Sequence, residues 1–290
     1  ESLIERLDGY EYQNLLGSSG LAVTYRALSN EDRSEVVVKN LRSYFAQENE
    51  IADAYFDELN SVRELANESV VAPIDFRKTN RGIWVVYPYT DWDTLDKLLI
   101  TGALTPQDAS RVSESLAKTL DGLHAAGMTH RNLKPQNVFV GPGWTVRLGD
   151  VGAAVLGEKA HLLIRATLRT PNPIYAAPEQ GLRLPANSVS DVYSMGVLMY
   201  EMLTGAPLFS VIGTAAVLTL QKEDNYVDAS VRATHLPKAV DQVLRRALSY
   251  QPADRYQSAG DYHRALTKSL GTERLPQNEL SESSPVNTST

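Results

Sequence analysis

Cysteine is absent from the 290 residues, which excludes disulfides, thiolate metal sites and cysteine nucleophiles and is compatible with a reducing compartment. No apolar run reaches the roughly 18 residues of a membrane-spanning helix. No long block of like charge is present, and the formal net charge of −7 argues against broad nucleic-acid binding. Internal repeats are missing too. The opening ESLIERLDGY is neither a signal peptide nor an initiating methionine, so it reads as an excised piece, with an anchor outside it left open. What remains is 43% hydrophobic and 22% charged, ordinary for an acidic globular protein. These features suggest a cytoplasmic protein, or the cytosolic part of a larger one. The length suits one large domain or two lobes sharing a cleft.

The first 90 residues read mostly as strands. YEYQNLL and VTYRALS flank the turn-rich GSSGLA, EVVVKNL is a β-branched run, and VVAPIDF and GIWVVYPYT return to strand. Between them IADAYFDELNSVREL is helical, with Phe56, Leu59, Val62 and Leu65 on one face. Beyond residue 93 the pattern turns helical. Thr105 is an N-cap, with Pro106 at the first helical position and Asp108 in the first turn. Ala109, Val112, Leu116, Leu120 and Leu123 make the stripe of that helix. SDVYSMGVLMYEMLTG is apolar nearly all round, a core helix closed by Gly205, and amphipathic helices follow near Ala239–Leu248 and Ser258–Leu270. The last twenty residues lack periodicity and read as a disordered tail.

Several short motifs sit on this frame: LGSSGLAVTY, VVVK, HRNLKPQNVFV, VRLGDVG, PNPIYAAPEQG and QPADRY. Each alone is weak, since a lone strand lysine is ordinarily solvated and Asp before Gly is ordinarily a turn. In this order and spacing they resemble the eukaryotic-type (Hanks-type) Ser/Thr protein kinase family, above all its bacterial branch, over residues of about 8–270. The resemblance implies an α+β, bilobal fold. Residues 1–89 would form a small β-rich lobe with one helix, 90–270 a larger helical lobe, with a hinge about 88–92 and a tail at 271–290.

It also implies ATP and Mg²⁺ as ligands, weakly held or absent, and a role for each matching residue. Gly17 belongs to the loop that covers phosphates, and Lys39 contacts them, paired with Glu58. Tyr87 guards the back of the slot, while the Pro88 carbonyl and Thr90 amide face adenine. Lys134 neutralises the transferring phosphoryl, and Asn137 and Asp150, thirteen residues apart, hold the metal. His130 is a packing residue. Glu179 pairs with Arg255, and Asp191 braces the catalytic loop.

The departures are concentrated in the chemistry. Ser19 and Ala22 replace the second and third loop glycines. Val37 above and Phe139 below narrow the adenine slot, an overpacking of about 1–3 kcal/mol. Val151 replaces a phenylalanine that ties the lobes together. Asn132 stands where the family has its catalytic aspartate, and an amide has no useful basicity; loss of a general base costs on the order of 10²–10⁴ in rate. Pro171 and Asn172 stand where Gly-Thr is usual. Three readings stay open. One is a pseudokinase with a regulatory or scaffolding role toward protein partners, switched by ATP. The others are a slow Ser/Thr kinase and a nucleotide-free interaction module, in which Thr167, Thr170 or the Ser/Thr-rich tail could carry phosphate.

Overall fold

A computed structural model describes residues 6–65, 67–79, 82–156, 158 and 173–272. Thr167, Thr170, Pro171, Asn172 and the tail beyond 272 lie outside the described residues.

The strands expected in the first 90 residues form one antiparallel sheet. It contains β1 (Tyr10–Ser18), β2 (Ala22–Ser29), β3 (Glu35–Leu41), β4 (Asp75–Thr79) and β5 (Gly82–Pro88), in the order β1-β2-β3-β5-β4. VVAPIDF is split rather than one strand: its start makes a single parallel bridge, Val70 to Leu148, and β4 proper begins at Asp75, two residues after Pro73, whose ring cannot donate to a ladder. Along β3, Val36 and Val38 are buried and Val37 and Lys39 half-buried.

Helix α1 (Asn49–Glu64) lies on the sheet and buries Ile51, Ala52, Tyr55, Leu59 and Val62. Phe56 is only partly buried, stacked on Phe76 with ring centroids 4.9 Å apart. The stripe therefore runs through Tyr55 rather than Phe56. Ile51, Ala52, Tyr55 and Leu59 join the sheet core, while Val62 belongs to the core of the helical part, so one helix touches both.

A short ribbon, β6 (Asp93–Thr94), β7 (Val138–Val140) and β8 (Val146–Leu148), leads into that helical part. There the structure places α2 (Leu95–Leu99), α3 (Pro106–Ala125), α4 (Pro178–Gly181), α5 (Ser188–Thr204), α6 (Thr214–Lys222), α7 (Ala239–Ala247) and α8 (Ala259–Leu270). Thr105 caps α3 as read, accepting a hydrogen bond from the Asp108 amide. α5 is buried nearly all round and ends at Gly205, whose φ of 69° is left-handed. Gly196 lets α5 approach α7: a Cβ there would stand 3.2 Å from Ala247 Cβ and from Leu248 Cδ2. Truncating a fully buried α5 side chain such as Leu198 is expected to cost about 2–5 kcal/mol.

Candidate active site

The catalytic-loop stretch 130–137 is held from below by Asp191 of α5, which is fully buried. Its Oδ2 accepts the His130 amide at 2.8 Å and its Oδ1 the Arg131 amide at 2.8 Å, while His124 Nε2 stands 2.8 Å from Oδ2. These bonds fix Arg131 at φ 59°, a left-handed conformation that costs a non-glycine residue about 1–3 kcal/mol. His130 is fully buried. Its Nε2 donates to Gly149 O (3.1 Å) and its Nδ1 accepts from the Asn132 amide (3.3 Å), a bonding pattern of the neutral imidazole. Burial accordingly lowers its pKa. His130 is the packing residue that the family pattern implies.

Asn132 and Asn137 are joined, Asn137 Nδ2 donating to Asn132 O at 2.8 Å. Gly149 N donates to Asn137 O at 2.9 Å, and this ties the loop to the strand end that carries Asp150. Asp150, like Arg131, has φ 59°. Both residues sit in the site, and each holds a backbone conformation that non-glycine residues rarely adopt. Phe139 lies against this strand: a Cβ on Gly149 would come within 2.8 Å of its ring.

The expected Lys39–Glu58 pair is not formed. Lys39 Nζ instead meets Asp150 Oδ1 at 2.6 Å, and Glu58 Oε1 meets Arg131 Nη2 at 2.6 Å. Arg131 Nη1 also reaches Glu158 at 3.0 Å. The packing supplies a reason. Ala153, Val155 and Leu156, just after Asp150, are buried in the sheet core with Tyr55 and Leu59, so α1 rests on this segment. Gly152, at φ 83°, lets the chain pass Glu58; a Cβ there would stand 3.2 Å from Glu58 Cβ. Val151 is buried in the helical core.

The two charges of the Lys39–Asp150 pair stabilise one another. Burial disfavours the ammonium of Lys39, but Asp150 outweighs it and raises the pKa. Burial likewise disfavours the Asp150 carboxylate, but Lys39 first, then Lys134 and His130, hold its pKa low. Lys134 has its pKa lowered by burial and by Lys39, with Asp150 and Asp96 opposing. Two phenols close the back of the slot, Tyr87 on β5 and Tyr55 on α1, both buried, and burial raises the pKa of each.

At the front, the Pro88 side is exposed and pairs with Val36, Val37 pairs with Tyr87, and the Thr90 hydroxyl accepts the Trp92 amide at 3.2 Å. Gly17 lies in the β1–β2 hairpin, and a Cβ at Gly17 or Gly20 would meet no protein atom within 4 Å, so the hairpin has open space beside it. The donor set suits a metal–nucleotide complex. Asp150 and Asn137 offer the oxygen donors that Mg²⁺ takes, and Mg²⁺ ordinarily completes its shell with phosphates and water. Among the described residues no cluster of three or more His, Asp or Glu could hold a metal unaided.

Some site residues were not singled out by their sequence. Glu158 and the ion-pair role of Arg131 depend on how α1 packs. Gln180 bridges α4 to the loop, its Nε2 donating to Arg131 O at 2.6 Å and its Oε1 accepting the Ala177 amide at 3.1 Å. Neither carries a local pattern. The fold-holding pair was legible: Glu179 and Arg255 meet in two bonds of 2.7 Å each.

Comparison with known proteins agrees with this geometry. Residues 10–266 match the protein kinase domain family. A probable serine/threonine-protein kinase of Corynebacterium efficiens is 30% identical over 264 residues, 88% of this chain and 40% of that protein. Serine/threonine-protein kinase PknB of Mycobacterium tuberculosis is 27% identical over 267 residues, covering 90% and 43%. The chain thus spans about two-fifths of the length of such curated relatives. Among solved structures, the PknI kinase domain of Mycobacterium tuberculosis superposes with a TM-score of 0.71 at 21% identity, over 91% of this chain and 98% of that one. A double mutant of it gives 0.74 at 20%, covering 91% and 96%. No described helix is long and apolar enough to cross a membrane. The chain belongs to the protein kinase domain family, and its homologues are bacterial Ser/Thr kinases of the Hanks type.

Proposed function

We propose that this domain is a pseudokinase: it takes up nucleotide with Mg²⁺ in the cleft, transfers phosphoryl groups little or not at all, and signals occupancy to protein partners. The observation that carries the reading is Asn132 in an otherwise complete catalytic loop. His130, Lys134 and Asn137 keep their places around it, and Asp150 follows on the neighbouring strand end. An amide at that position can accept a hydrogen bond from a hydroxyl but cannot remove its proton at neutral pH.

Bound ATP would supply a transferable phosphoryl and Mg²⁺ would neutralise its charge. Within the chain, Lys39 and Lys134 provide the cationic contacts, Asp150 and Asn137 the metal ligands, and Gly17 the close approach of the hairpin. Val37, Phe139, the Pro88 carbonyl and the Thr90 amide bound the adenine slot. Residues 1–89 and 90–270 act as the two lobes, hinged at 88–92. Entry of a metal–phosphate group requires Lys39 and Asp150 to separate, and this couples occupancy to the α1 helix through Glu58 and Arg131.

The 2.6 Å Lys39–Asp150 contact favours a second reading, a nucleotide-free interaction module in which those residues serve each other. Calorimetry of ATP with and without Mg²⁺, on wild type and Lys39→Met, separates the two. Metal-dependent binding that disappears in the variant supports the pseudokinase; no heat at millimolar ATP supports the module. Labelled phosphate incorporated above the level of Asp150→Ala would reject both in favour of a slow kinase.

A further inference from the structure

The hairpin between β1 and β2 is closed on itself by one hydroxyl. Ser19 Oγ accepts the Leu21 amide at 3.2 Å and the Ala22 amide at 3.1 Å, and donates to Ala22 O at 3.3 Å. The Ser19 amide donates to Ala22 O as well, at 2.8 Å. Arg42, three residues beyond Lys39, clamps the same turn from outside. Its Nη2 donates to Ser19 O at 2.9 Å and to Ser18 Oγ at 3.1 Å, and its Nε donates to Ser19 O at 3.3 Å. Two consecutive backbone N–H groups converging on one oxygen make the arrangement with which such a turn binds an anion. Here the oxygen is the protein's own.

We propose that Ser19 is an internal stand-in for a phosphate oxygen, holding the hairpin amides of Leu21 and Ala22 so that a phosphorylated ligand must displace its hydroxyl to bind. The inference rests on the reading of the cleft as a nucleotide site. A glycine at position 19 has no hydroxyl to offer, and an alanine keeps the Cβ without the oxygen. The side chain thus lowers affinity for the phosphates and is neutral toward the base and ribose. The Lys39–Asp150 pair acts in the same sense deeper in the cleft, so amide and ammonium donors for phosphate are both internally satisfied.

The test is calorimetric titration of ADP and of adenosine, each with Mg²⁺, into the wild-type chain, Ser19→Ala and Ser19→Gly. Each net neutral hydrogen bond is worth about 0.5–1.5 kcal/mol. Freeing the amides should therefore tighten ADP binding by roughly three- to tenfold in Ser19→Ala, with adenosine affinity unchanged. Ser19→Gly should bind ADP at least as tightly as Ser19→Ala. ADP affinity that is unchanged or weaker in Ser19→Ala overturns the inference and leaves the nucleotide site standing, and weaker binding would make the hydroxyl a phosphate ligand. Equal tightening for adenosine also overturns it, since the effect would then not pass through phosphate. Absence of ADP and adenosine binding in all three proteins overturns the nucleotide reading and this inference together.

Discussion

Replacing Glu179 with glutamine is a sharp test of what holds the catalytic loop in place. Arg255 is fully buried and all five of its N–H donors are used. Nη1 donates to Glu179 Oε1 (2.7 Å) and Val189 O (3.1 Å), and Nη2 to Glu179 Oε2 (2.7 Å) and Tyr250 O (3.1 Å). Nε donates to Ser249 O (2.8 Å). Glu179 Oε1 also accepts the Ser190 hydroxyl at 2.7 Å. Glutamine keeps the shape, loses the charge, and presents an NH₂ to a guanidinium that cannot accept. Uncompensating a buried pair in this way costs about 3–5 kcal/mol. At about 2–4 °C per kcal/mol for a domain approaching this size, the melting temperature should fall by roughly 6–20 °C. The assay is thermal and urea unfolding by circular dichroism at neutral pH. Because α4 also carries Gln180, the loss should loosen the Arg131 end of the loop as well. The pH dependence has a definite sign. Burial works against ionising Glu179, but Arg255 and the Ser190 hydroxyl outweigh it, so its pKa lies below the ordinary value. A depressed carboxylate gives stability that is present above its unfolded pKa of about 4.3 and lost as pH falls through the folded one. The gap between wild type and variant must therefore narrow on acidification. A loss under about 1 kcal/mol, or a gap that widens in acid, would refute the assignment.

Three further outcomes follow from the same geometry. Asn132→Asp restores a carboxylate beside Lys134, and phosphate incorporation should rise on the order of 10²-fold or more; no gain over wild type would show that Asn132 is not what limits transfer. Arg131→Gln removes the cation between Glu58 and Glu158, and with about 0.5–1 kcal/mol for each of these partly exposed pairs, amide exchange in the second half of α1 should accelerate. Unchanged exchange there would mean the ion pairs do not hold the helix. His130 is buried with its pKa lowered, so the unfolded state takes up a proton first. Stability should decline as pH falls below about 6.5, and a His130→Asn variant that still folds should lose part of that slope, the rest coming from His263, whose pKa burial also lowers.

Much of this architecture was legible in the chain. Thr105 before Pro106, the all-apolar turns of 188–204 and Gly205 at their end state their roles through chemistry that acts within a few residues. Motif spacing likewise placed Lys39, Asn137, Asp150, Glu179 and Arg255, because residues that must meet in one fold keep their order. The choice of partners was less legible. Lys39 can reach Glu58 or Asp150, and which one it takes depends on where α1 sits. That position depends on Ala153, Val155 and Leu156 filling the core beneath Tyr55. No pattern within any one segment encodes such a choice between two opposite charges. The part played by the Ser19 hydroxyl was not legible for a related reason: its oxygen accepts the amides two and three residues on, and that bond depends on how the hairpin turns.

The internal pairs set a limit on how much any variant can gain. If Ser19 on the hairpin amides, Asp150 on Lys39 and Arg131 on Glu58 all favour one closed arrangement, nucleotide binds only the open fraction, and the apparent dissociation constant is the intrinsic one divided by that fraction. Ser19→Ala and Arg131→Gln would each enlarge the fraction. Each is then expected to tighten ADP binding alone, roughly three- to tenfold for a pair worth about 0.5–1.5 kcal/mol. Together they should tighten it by less than the product once the open state predominates, because a population cannot exceed one. Independent sites would instead give additive free energies within about 0.3–0.5 kcal/mol. The measurement is the double-mutant cycle on ADP affinity. Full additivity at saturating affinity would mean that the hairpin and the helix act separately. Adenosine, which makes no phosphate contact, should show no change across the cycle, and tightening there would overturn the stand-in role of Ser19.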